Sequence, residues 1–179
     1  MNDKKKIKIE NTFRQSDSQD NLFDAFQSAI ENNLEDPEIY KVLLANPALS
    51  PDEIMMFTEK LCREFPEQKF GYYIWTAQVF ENKSQSQENR LRAMDHYIRA
   101  AETEPTNFSP YISLLNLYNL EMDLPSNKKI LNYVEEGVRK VHKKSKLYYA
   151  LANLYKKLGD IQNEARNYAL GEKSSQREK

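Results

Sequence analysis

Apolar residues recur along this chain at intervals of three and four, the period of a helix with one buried face. Leu22, Phe23, Phe26, Ala29 and Ile30 form the first such stripe, with Asp20 placed to cap the helix that carries it. Asp36-Pro37 opens a second helix with proline at its first position, and Asn46-Pro47 ends it. Ser50-Pro51-Asp52-Glu53 combines an N-cap, a proline and a glutamate three residues after the cap, predicting a helix to about Glu64. Further helices are predicted over residues 68–82, 88–104, 109–122, 127–142, 145–158 and 161–174. Ser145 is the expected cap of the second-last, and Gly159-Asp160 the turn before the last. That makes about nine helices with short loops, which implies antiparallel neighbours. Residues 1–19 lack periodicity and are predicted as a disordered polar tail.

Three of these helices share one pattern: Tyr73-x3-Ala77-x2-Phe80, Tyr111-x3-Leu115-x2-Tyr118 and Tyr148-x3-Ala152-x2-Tyr155, stepped by 38 and then 37 residues. Spacing i, i+4, i+7 sets all three positions on one face, where a small residue admits a neighbouring helix and the aromatics fill the space beside it. The following helices carry a related set: Ala93, Tyr97 and Ala100, then Ile130, Tyr133 and Gly137, then Ala165, Tyr168 and Ala169.

Tyr148 to Gly159-Asp160, together with Glu104-Pro105-Thr106-Asn107, resembles the helix, turn and closing turn of tetratricopeptide repeats. The resemblance covers residues 68–173. It implies an all-α, right-handed α-solenoid of antiparallel helix pairs, with repeats over 68–105, 108–142 and 145–174 and degenerate helices over 20–66. Residues 20–176 are thus expected as one domain. Because the steps exceed the family's roughly 34 residues, insertions are expected at 83–87 and 123–127. Ala93 to Ala100, with Trp75 and Phe80-Glu81, is also similar to the half-a-tetratricopeptide repeats of RNA-processing scaffolds.

Composition narrows the function. Glycine is scarce at 4 residues, which disfavours a turn-rich β fold, and no apolar run reaches the roughly 18–20 residues of a membrane helix. The single cysteine, Cys62, gives no disulfide framework and sits among core-type residues; with no secretory signal in residues 1–20, a cytoplasmic protein is expected. His96 and His142 lack metal-binding spacing, and the four glycines form no phosphate loop, so neither a cofactor nor an enzyme activity is expected. Charge is divided: residues 1–127 hold 13 basic against 21 acidic side chains, and 128–179 hold 13 against 6. This admits a homo-oligomer joined front to rear. The repeat pattern claims most of the aromatics for the core, and Lys140, Lys143, Lys144 and Lys146 cluster where a helix end favours cations, so nucleic acid is not the expected partner.

The resemblance implies that the first helix of each pair lines a concave groove. Five residues after each leading aromatic stand Gln78, Asn116 and Asn153, a ladder of amides able to donate to and accept from an extended peptide backbone. Ile74, Ile112 and Tyr149 lie one turn earlier as side-chain pockets, and Asn119, Lys156 and Lys157 extend the strip. Lys146 with Asn153 resembles part of the family's clamp for a terminal carboxylate, although Ala150 stands at the clamp's other basic position. A protein or peptide partner held by an adaptor, scaffold or chaperone-like module is therefore the leading expectation, with an RNA-processing scaffold or a self-assembling subunit as the alternatives.

Overall fold

The computed structural model describes residues 3–83, 86–120 and 124–178, and among them every regular element is helical. The all-α expectation holds. Two compact units divide the chain at Met1–Lys83 and Ser84–Lys179, where the sequence pattern suggests a single repeat domain. The first contains α1 (Asp3–Gln15), α2 (Gln19–Glu31), α3 (Pro37–Leu44), α4 (Pro51–Glu64), a 3-10 turn (Pro66–Gln68) and α5 (Lys69–Lys83). The second contains α6 (Gln87–Thr103), α7 (Ser109–Leu117), α8 (Leu124–Lys140), α9 (Lys144–Lys157) and α10 (Ile161–Arg177). None of the described helices is long and apolar enough to cross a membrane.

Local chemistry sets most of the boundaries. Ser50 and Glu53 close a reciprocal capping box: the Glu53 N–H donates to Ser50 Oγ (3.2 Å) and the Ser50 N–H to Glu53 Oε2 (2.7 Å). Asp36 Oδ1 accepts the Glu38 N–H at 3.1 Å. Gly159, at φ +72°, ends α9 in a left-handed turn in which the Asp160 N–H reaches the Tyr155 carbonyl (2.9 Å) and the Gly159 N–H that of Lys156 (3.1 Å). Asp160 then caps α10 through the Asn163 N–H at 3.0 Å.

Four expectations are corrected. Residues 3–15 are a helix, not a disordered tail, because Ile9 and Phe13, one turn apart, are buried and Lys6 Nζ pairs with Asp36 at 2.9 Å. Burying two such side chains stabilises by roughly 1.5–3 kcal/mol each, which outweighs a polar composition. The cap of α2 is Ser18, which accepts the Asn21 N–H at 3.3 Å, and Asp20 stands in the first turn instead. Ser145 lies inside α9, where its N–H (3.0 Å) and hydroxyl (2.5 Å) donate to Glu178 at the end of α10. Lastly, α7 ends at Leu117, since Tyr118 turns extended at ψ 123°; the expected end at Met122 lies outside the described residues, as do parts of both expected insertions.

In the first unit, α1 packs on α2 and on α3, α3 on α5, and α4 on α5. Phe13, Phe26, Phe65 and Tyr72 ring Tyr40 at centroid distances of 5.6–6.4 Å. Thr58 and Thr76 join α4 to α5 by a buried hydroxyl pair at 2.8 Å. Buried Asn46 stitches α1 in place, donating to the carbonyls of Phe13 (2.9 Å) and Ser16 (3.1 Å). Cys62 is a core residue whose thiol burial pushes up to about 11, against a hydrogen bond with Tyr73 and the charge of Lys69.

In the second unit, α7 packs on α6, α8 and α9, and α10 on α9. A tyrosine ring sits on a glycine in both of its later helix pairs. A Cβ on Gly137 would stand 2.4 Å from Tyr111, and one on Gly171 would stand 2.8 Å from Tyr149. Ala165, Tyr168 and Ala169 face outward, whereas Ala93, Tyr97 and Ala100 of the related set are buried. Buried Gly171 marks the inner side of α10, which packs against α9 alone among the described elements with substantial contact.

Candidate functional site

Long-range polar contacts recur at one sequence separation. Gln19 donates to Glu53, the Trp75 indole to the Lys41 carbonyl, Lys83 to the Leu49 carbonyl and Lys129 to Asp95, each pair 34 residues apart. Asn46 to Phe13 spans 33. Residues 33–34 positions apart therefore touch inside each unit, and α1, α3 and α5 lie side by side in the first, as α7 and α9 do in the second.

Across α1, α3 and α5 run two contiguous depressions of about 390 and 600 Å³. They share Ala45, Asn46, Pro47 and Trp75, so the chain's one tryptophan stands at their junction. Trp75 is half-buried, and its indole N–H is anchored at 2.9 Å on the Lys41 carbonyl. Lys41 Nζ lies 5.8 Å from the ring centroid and 2.6 Å from Glu38 Oε1. Val42, Ala45, Pro47 and Val79 supply apolar surface; Arg14, Gln78 and Asn82 are exposed at the margins. Chemically, this is a fixed aromatic surface flanked by paired charges and primary amides, which suits an extended segment with one apolar anchor.

The amide ladder divides between the units. Gln78 is exposed on α5 beside Trp75, with Ile74 half-buried a turn before it. Asn116 is exposed on α7 and Asn153 on α9, with Ile112 half-buried a turn before Asn116. Lys146, Lys156 and Lys157 are exposed on α9. Tyr149 turns toward α10: its hydroxyl donates to Glu172 at 3.0 Å and its ring meets Tyr168 edge-on at 5.5 Å. Asn119 lies beyond the end of α7, so helical register does not place it; its N–H donates to Asn127 Oδ1 (3.4 Å) and its carbonyl accepts from Asn127 Nδ2 (2.7 Å).

Lys41, Val42 and Pro47 are absent from the sequence-based site. Their region reads as a worn repeat, and the signal that could have found them is the 34-residue interval from Lys41 to Trp75, which the longer steps of 38 and 37 residues conceal. Compared with known proteins, the chain matches no protein-family model, no curated protein and no solved structure.

Proposed function

We propose that this chain is a non-catalytic interaction module, tetratricopeptide-like in build, that holds a peptide segment of another protein along the first helices of its pairs. The contacts at 33–34 residues and the side-by-side placement of α1, α3 and α5, and of α7 and α9, support a solenoid of stacked pairs. The observation that carries the binding role is Trp75, anchored through its N–H at the junction of two depressions with its ring half-exposed. A cytoplasmic adaptor or scaffold suits such a surface.

The same tryptophan makes the proposal measurable, because it is the chain's only one. Peptides selected by display against the full chain should shift its fluorescence on titration. Gln78→Ala should weaken them about 2- to 10-fold, the worth of one hydrogen bond at about 0.5–1.5 kcal/mol. Paired Asn116→Ala and Asn153→Ala tests the strip on α7 and α9 in the same way, with little change in melting temperature. Peptides that bind without moving the tryptophan signal, and equally to Gln78→Ala, would assign binding to another surface.

A further inference from the structure

Between α2 and α4 the first unit carries a second concavity, an apolar groove of about 360 Å³. Phe26 and Phe57 form its buried floor, their centroids 4.6 Å apart, while Phe23 and Met56 on its walls are 40% and 45% exposed. The two walls differ in charge. Asp20, Asp24 and Glu31 are exposed on α2, which has no basic residue. On α4, Lys60 and Arg63 line the groove; Lys60 also pairs with Glu64 at 2.6 Å, and Arg63 Nε donates to the Glu59 carbonyl at 3.3 Å.

The second unit carries an exposed apolar stripe. On α10, Ile161 is 78% and Tyr168 56% exposed, with Ala165 exposed between them. At 100° per residue, Arg166 and Lys173 flank this stripe on one side and Glu164 on the other, while Glu172 falls within the stripe and accepts a hydrogen bond from the Tyr149 hydroxyl. Ile161 and Tyr168 are seven positions apart, as are Phe23 and Ile30 along the groove, about 10 Å in each case. Residues 1–83 carry 10 basic against 15 acidic side chains, and 84–179 carry 16 against 12.

We infer that the α2–α4 groove of one copy takes α10 of a second copy. A helix can lie in the groove in two directions, and one of them sets Arg166 and Lys173 against the acidic side of α2 and Glu164 against Lys60 and Arg63. The apolar stripe then covers Phe23 and Met56. Two different surfaces meet, so the contact is heterologous and repeats head to tail. It is independent of the peptide face around Trp75.

Light scattering and sedimentation of the full chain test this. The expected mass rises with concentration at low salt and falls toward the monomer at high salt, as charges at the rim are screened. Met56→Glu spoils the groove and Ile161→Glu spoils the helix; both positions are exposed, so the melting temperature stays unchanged. Each variant alone should be monomeric, its association weakened roughly tenfold or more. An equimolar mixture should form a dimer and stop there, since one intact groove and one intact helix remain. A wild-type chain monomeric at every concentration overturns the inference, as do assemblies that persist in either variant or a mixture that stays monomeric.

Discussion

Tyr40 is fully buried among aromatic rings, yet its hydroxyl has no hydrogen-bond partner among the described residues, and burial, with the charge of Glu64, raises its pKa well above the usual tyrosine value. A buried donor left unpaired costs about 1–3 kcal/mol, so Tyr40→Phe, which keeps the ring, should raise stability in urea or thermal unfolding. A loss of stability would show that the hydroxyl is in fact satisfied. His96 makes the opposite point about titration. Burial lowers its pKa, outweighing a 2.8 Å hydrogen bond to the Arg92 carbonyl and the charge of Asp95. The folded chain therefore holds this proton less tightly than the unfolded one, and stability falls as pH drops below the unfolded value of about 6.5. Melting between pH 7 and 5.5 should show that slope, and His96→Gln should flatten it. Capping was legible at this scale where one short polar side chain precedes a proline, as at Asp36 and Ser50. It was not legible at Ser18 and Asp20, because either can accept the orphan N–H and only the path of the chain leaving α1 chooses between them.

At the scale of the elements, two helical glycines with opposite surroundings separate packing from propensity. Gly137 faces Tyr111, whose ring stacks on Tyr133 at 6.0 Å and whose hydroxyl donates to the Pro105 carbonyl at 3.2 Å, so the ring has little room to yield. Alanine there gains about 1 kcal/mol of helix propensity but over-packs by about 1–3 kcal/mol, so Gly137→Ala should lower the melting temperature. Gly71, where an added Cβ would meet nothing within 4 Å, should gain up to about 1 kcal/mol as alanine. Equal melting shifts in the two variants would mean that α7 and α8 are not in the close contact described. Periodicity revealed the helices from α2 to α10, because each buries one stripe. It passed over α1, whose lysines and asparagines hide Ile9 and Phe13, and it could not tell which stripe of α10 packs inward.

Across the whole molecule, one interval joins what composition leaves separate. Contacts at 33–34 residues occur in both units, although the aromatic pattern steps by 38 and 37, because side-chain contact follows which helices pack together and not the spacing of the aromatics. The uneven charge is likewise visible in the sequence, but its weight against the exposed stripe of α10 depends on which side of that helix packs against α9. By itself the order of residues determined the all-helical class, most helix starts and the exposure of Gln78, Asn116 and Asn153, since these rest on local capping and a 3.6-residue period. Tertiary packing alone decided that residues 3–15 join the first unit, that glycines seat Tyr111 and Tyr149, and that Trp75 stands over Lys41 between two depressions. Those outcomes depend on groups far apart along the chain, and burial is a property of the neighbours a side chain acquires, which no local pattern encodes.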